Sequence, residues 1–286
     1  MSTTIVNKEG DYKQNDPPII GTLRHALSLP TPRKIIITVK HIELIDFLSL
    51  IRPYVNLQSA VGTTIKAAPQ IAIFSGPGRI ENIHFIPGSG NWRTLLFIGT
   101  SSRNWEVKYC TSESLDDDGF CLFQGANRIR FYRCVIKGQD KGSLVDGTIL
   151  TPCTNITYEQ VTFNQAKIRT PANDGIGLTT IKNCVIYVTK AGSELGRAGS
   201  TFNLLHNFYF GQAEFSYYPA RVQVDIDLST PNQIYKEGNR WFVNGIEREF
   251  KVGTTVDPTG ISPVPDLLYS PTMFPYLLPD LTGVPV

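Results

Sequence analysis

The chain is short of charge. Asp, Glu, Lys and Arg make up 18% of its 286 residues, and 27 basic against 25 acidic side chains leave a formal charge of +2. The basic residues are scattered rather than clustered, so no nucleic acid is expected as a partner. Apolar runs are short too: none approaches the roughly 20 residues that span a bilayer, and no membrane span is expected. The opening MSTTIVNKEGDYKQNDPP lacks the basic-then-apolar order of a secretory signal. The expectation is a product that is cytoplasmic when made, or carried out by lysis or as part of a virion. Histidine is scarce, and His25, His41, His84 and His206 are too dispersed for a metal set or a nucleophilic triad. The five cysteines (Cys110, Cys121, Cys134, Cys153, Cys184) are odd in number and contain no CxxC pair. That argues against zinc and favours reduced, buried thiols over disulfides.

Glycine (24) and proline (19) are plentiful instead, as suits a β protein with many turns. Short β-rich segments recur: ENIHFIP, WEVKYCTS, RIRFYRCVIK, NITYEQVTF, TTIKNCVIY and FNLLHNFYF. Aligned, they place Ile83, Cys110, Cys134, Val161, Cys184 and Asn207 in one column, at steps of 27, 24, 27, 23 and 23 residues. A repeat of this length marks a solenoid whose coils bury their faces against one another. Alternation within the segments (Ile129 and Phe131 against Arg128 and Arg130) has period two, so the coils contribute strands. The reading is all-β, a parallel β-helix with equivalent residues stacked about 4.8 Å apart. Small cysteines suit the narrow interior of such a column, and Asn207 suggests a change to amide stacking near the last clear coil.

Flanking segments follow from local signals. GTLRHAL reads as a short helix capped by Thr22, with Leu23, Ala26 and Leu27 facing inward to plug an open solenoid end. NRWFVNGIEREF reads as a hairpin around Asn244-Gly245. The Pro-rich tail PVPDLLYSPTMFPYLLPDLTGVPV is expected to lie extended on the solenoid wall or to dock on another subunit, as a homo-oligomer or with virion proteins. The resulting division is residues 1–20 as an extension, 21–210 as the capped β-helix, and 211–286 as hairpin and tail.

Several of these segments, in order, resemble pectate and pectin lyases of polysaccharide lyase family one. GTLRHAL with PRKIIITV is similar to that family's opening, and NWEVKYC to its V-W-I-D-H-C strand. QGANRIRFYRCVI, DKGSLVDG and NITYEQVTFNQAKIRTP are similar to its G-A-N-x-V-x-V-S, D-K-x-x-L-I-G and I-T-Y-H-H-N-x-F…R-x-P segments. The likeness covers roughly residues 20–210. It implies a right-handed parallel β-helix with a capping helix, an acidic polysaccharide as partner, and β-elimination of a polyuronide. Arg169 matches the arginine that removes the proton, and Lys141 a substrate-binding lysine. Arginine acts as a base only where its cation is strongly destabilised, since its free pKa exceeds 12; a nearby Lys141 pushes that way.

Two departures qualify the resemblance. The family's calcium carboxylates fall here on Lys108, Asp118 and Leu122, so calcium, which takes six to eight oxygens, is not expected. Lys108 held against Asp118 would instead receive a substrate carboxylate, the alternative being a plain surface ion pair. Asp174 stands where the family continues with arginine, and would either hold Arg169 protonated or join Asp116 or Asp117 as a hydrolytic pair. Trp105 and Tyr109 are candidates for stacking on sugar rings, or for wall packing. The competing reading of the whole chain is a non-enzymatic glycan-binding or architectural β-helix of a phage virion, such as a tailspike.

Overall fold

A computed structural model of the protein describes residues 2–67, 71–88, 94–100, 102–114, 118–138, 141–148, 150–164, 170–188, 192–195, 200–211, 220–222, 233–250 and 252–253. It is 59% strand and 3% helix, a parallel β-solenoid. Each coil passes through three walls.

On the first wall, Ser2–Val6, Arg33–Ile37, Val55–Ala67, Gly78–Pro87, Arg103–Lys108, Asn127–Tyr132, Thr154–Glu159, Gly177–Lys182, Ser200–Leu205 and Gln233–Glu237 pair in parallel. Val55–Ala67 and Gly78–Pro87 run on into the second wall, which continues through Thr111–Ser114, Val135–Gly138, Thr162–Asn164, Val185–Val188, Phe208–Gly211 and Arg240–Val243. The third wall is a nine-stranded sheet from Leu48–Leu50 to Val252–Gly253. It includes Ile71–Ile73, Leu96–Ile98, Phe120–Phe123, Ser143–Asp146 and Ala172–Asn173.

The corner between the first two walls is one residue wide. Asn82, Tyr109, Arg133, Gln160, Asn183 and His206 sit there with φ between 50° and 59°. Left-handed backbone costs an L-residue roughly 1–2 kcal/mol, and here the ladder runs through the bend unbroken. Tyr109 N donates to Tyr132 O at 3.0 Å, and Val135 N to Cys110 O at 2.9 Å. The next residue in each coil is the expected column. Ile83, Cys110, Cys134, Val161, Cys184 and Asn207 are at most 1% exposed, and all five cysteines are free. The column ends in amides as anticipated: Asn207 Nδ2 donates to Asn239 Oδ1 at 2.9 Å, and Cys184 N to Asn207 Oδ1 at 2.9 Å.

Burial pushes the Cys134 and Cys184 thiols up to about 12, and Cys110 well above its usual value. A thiol whose folded pKa lies above its unfolded value gives stability that is complete below pH ~8.5 and lost as the pH rises toward the folded value. The urea midpoint is therefore expected to fall between pH 9 and 11. Cys134→Val and Cys184→Val, which repeat the Val161 already in the column, should remove the thiol share of that fall. A native protein that reacts with a thiol reagent at pH 8 as fast as the urea-unfolded chain would refute this burial.

The capping helix is Leu23–Ser28, with Thr22 Oγ1 accepting from His25 N, and Leu23, Ala26 and Leu27 are buried. The hairpin pairs Arg240–Val243 with Ile246–Arg248 through Asn244 (φ 51°) and Gly245 (φ 77°). Two boundaries differ from expectation. Ser2–Val6, read as part of an extension, is the first rung of the first wall. Gln233–Glu237 and Arg240–Val243 continue the stack beyond residue 210. That coil escaped the repeat because the step from Asn207 to Asn239 is 32 residues. The Pro-rich tail lies outside the described residues.

Candidate functional site

The register sorts the expected site residues into four places. Phe120 pairs with Ser143, and Gly119 N donates to Gly142 O at 2.7 Å, so Asp118 and Lys141 occupy equivalent positions on adjacent rungs. Both lie at the leading edge of the third wall. Arg169, Asp116 and Asp117 lie outside the described residues. Thr170, next to Arg169, is fully buried, and its N donates to Gly192 O.

Asp118 is only 2% exposed, and its charge raises the pKa of the buried Tyr158 phenol, on which burial is the larger influence. Tyr158 in turn shares a 2.7 Å hydrogen bond with Ser143 Oγ. The carboxylate thus faces protein, and its expected role as a direct sugar contact gives way to one beside Lys141. Lys141 is half-buried, and its carbonyl accepts from Ser114 Oγ at 3.1 Å.

Asp174 follows Ala172–Asn173, at the trailing edge of the same wall, in line with Asp146; its N donates to Val145 O at 2.9 Å. Five extended residues separate the Lys141 position from that of Asp146, about 16 Å. Asp174 therefore does not stand with Lys141 and Asp118, and its expected hydrolytic partners, Asp116 and Asp117, fall among the undescribed residues.

Lys108 and Tyr109 sit at the other corner of the coil. The whole strand Thr111–Ser114, about 13 Å of extended chain, lies between them and Asp118. Lys108 Nζ is 3.8 Å from Glu81 and 4.7 Å from the Tyr109 ring centroid. It belongs to an ionic ladder on the outer face of the first wall. There Arg79 meets Glu106 (2.8 Å), Glu106 meets Arg130 (3.0 Å) and Arg130 meets Glu159 (2.6 Å). The expected Lys108–Asp118 pair is thus replaced by Lys108–Glu81. Tyr109 is 41% exposed, but on a wall distant from Lys141.

Trp105 is fully buried, and its indole Nε1 donates to Ser75 O. It offers no face to a sugar, and its packing role is the correct one. Parity carries the signal: Trp105 and Val107 align with Ile129 and Phe131, all interior. Leu122 is likewise an interior residue with no exposure. Among the described residues, no three His, Cys, Asp or Glu side chains gather as metal ligands, and no helix is long and apolar enough to cross a membrane.

Composition did not single out the third wall's outer face, yet it carries a stripe of rings. The Phe97 ring lies 6.0 Å from Phe74 and 5.8 Å from Phe123. Gly99 makes room for it, since a Cβ there would come within 2.6 Å of Phe74 and 2.7 Å of Phe97. Beside the rings, Cys121, Leu144 and Ala172 form an apolar cluster separate from the main core. Lys141 stands at the leading edge of this wall; Phe97 is in line with the buried Cys121, Leu144 and Ala172, and Phe123 is in line with Asp146, toward the trailing edge. The alternating positions of LLFIG (Phe97 out, Leu96 and Ile98 in) carried that signal.

The chain matches no protein-family model and no curated protein sequence.

Proposed function

We propose that the outer face of the third wall engages an acidic polysaccharide. The observation that carries this reading is the ring stripe Phe74–Phe97–Phe123 on the wall whose leading edge bears Lys141. Rings offer apolar faces to the C–H surfaces of sugars, and a lysine at the margin of this wall supplies a point charge for a uronate carboxylate. Lys141 also meets the resemblance to polysaccharide lyases at the position where a substrate lysine is expected.

Elimination without a metal is the finer form of this reading. Arg169, deprotonated beside Lys141, would take the proton from the carbon α to the uronate carboxylate. The electron pair becomes the new carbon–carbon double bond, and the glycosidic oxygen leaves with the other half of the chain. The buried setting of Asp118 favours the simpler alternative, in which the groove holds the glycan and no bond breaks.

One experiment separates these. The protein is run through gels with and without polygalacturonate, and incubated with it while absorbance of the unsaturated product is followed, with and without chelator. Retardation that weakens roughly tenfold in Lys141→Ala and Phe97→Ala is expected. Chelator-insensitive product that disappears in Arg169→Ala supports elimination, and retardation without product supports the binder. Equal mobility in both gels for the wild type would remove the polysaccharide reading altogether.

A further inference from the structure

We propose that a cavity at the corner between the third and first walls is a second binding site, which takes the oxyanion group (carboxylate or sulfate ester) of an acidic saccharide. The cavity measures about 460 Å³ and is lined by Tyr54, Gly76, Pro77, Arg103, Asn104, Asn127 and Arg128. It lies elsewhere on the coil from Lys141, and the inference does not rest on the third-wall groove.

Charge is the first argument. The lining holds two guanidiniums and no carboxylate. Two other arginines of the first wall are paired: Arg79 with Glu106, and Arg130 with Glu106 and Glu159. Among the described residues, Arg103 and Arg128 have no such partner. Two cations kept side by side without a counter-charge repel each other, and an oxyanion relieves that repulsion. Guanidinium forks also match the two oxygens of a carboxylate, or those of a sulfate, in bidentate fashion.

Backbone geometry is the second. Arg103 pairs with Asn127 and Trp105 with Ile129, so Asn104 and Arg128 stand opposite each other on adjacent rungs in an unshifted register. Both are left-handed, with φ of 58° and 56°, as are Tyr54 at 60° and Asn155, one rung on, at 57°. This turn of the coil brings Asn104 and Arg128 together into the lining of the cavity.

Polar satisfaction is the third. Asn104 Oδ1 is buried with no hydrogen-bond partner. Asn127 and Tyr54, both in the lining, add neutral polar side chains suited to sugar hydroxyls flanking the anionic group. Gly76 completes the shape. A Cβ there would lie 1.9 Å from Arg103 O, so only glycine lets the turn approach the Arg103 strand this closely.

The test uses the full chain with ¹⁵N-labelled arginine, titrated separately with sodium glucuronate, inorganic sulfate and inorganic phosphate. The Arg103 and Arg128 Nε–Hε resonances are expected to shift saturably with glucuronate or sulfate. A stronger response to glucuronate assigns the carboxylate source, and a stronger response to sulfate the ester. In Arg103→Ala the affinity is expected to fall roughly tenfold. Arg128→Asn should do the same while keeping a residue that tolerates positive φ; an unchanged urea midpoint shows that both variants fold. Lys141→Ala should leave the cavity response within about twofold of wild type, because it lies outside the site. Absence of saturable shifts at both resonances, tighter binding of phosphate than of either glucuronate or sulfate, or undiminished affinity in the arginine variants would each overturn the proposal.

Discussion

Replacing Trp105 with alanine is expected to lower the unfolding free energy by about 3–5 kcal/mol, the range for emptying a buried aromatic site. The indole has no exposure, and it rests on a position that has no side chain of its own. A Cβ on Gly78 would lie 2.3 Å from the ring. Losing the ring also strands Ser75 O, which accepts from the indole N–H. The complementary change, Gly78→Ala, pushes a methyl into the same ring and should cost about 1–3 kcal/mol by overpacking. Urea denaturation of both variants measures these losses. Retardation by polygalacturonate, recorded where each variant is still folded, should match wild type. A Trp105→Ala protein with unchanged stability and lost retardation would restore the sugar-stacking role and remove the packing one.

That residue also marks where the sequence was legible. The column through Cys110, Cys134 and Cys184 could be read because one buried residue follows a one-residue corner in coil after coil, and the period exposes it. Trp105 carried an equally clear parity with Val107, but an aromatic beside charged neighbours invites a ligand reading when parity is set aside. The third wall was harder. Its strands are short, as in Leu96–Ile98 and Ala172–Asn173, and the turns between them vary in length. The ring stripe therefore has no fixed spacing along the chain.

Asp118 and Lys141, set together by the likeness of short motifs, both precede third-wall strands on adjacent rungs. The likeness misplaced Lys108, because a motif match carries no information on which corner of the coil a residue turns. The left-handed backbone of Arg128 is invisible for a related reason. Nothing in its residue type marks it, and only the pairing of rungs sets it beside Asn104.

Arg24 is the second residue whose loss should be severe. It sits in the short capping helix, 8% exposed. It grips Asp11 with two bonds, Nε at 2.8 Å and Nη2 at 2.7 Å. It also donates to Phe47 O at 2.8 Å and Asp46 O at 2.9 Å. The Asp11 side chain is 1% exposed, so Arg24→Ala leaves a buried carboxylate without its cation and two carbonyls without a donor. Breaking one side of such a pair costs about 3–5 kcal/mol.

Removing both charges is a different matter, because the desolvation cost that the pair carried disappears with them. The double variant Asp11→Leu with Arg24→Met is therefore expected to be more stable than Arg24→Ala alone, although it loses more hydrogen bonds. Urea midpoints of Asp11→Leu, Arg24→Met and the double variant measure this coupling. Because the helix covers the first rungs, proteolysis of residues 1–30 should speed up in Arg24→Ala well before global unfolding. Single variants within about 1 kcal/mol of wild type, the range of an exposed ion pair, would show that the cap is held by Leu23, Ala26 and Leu27 alone.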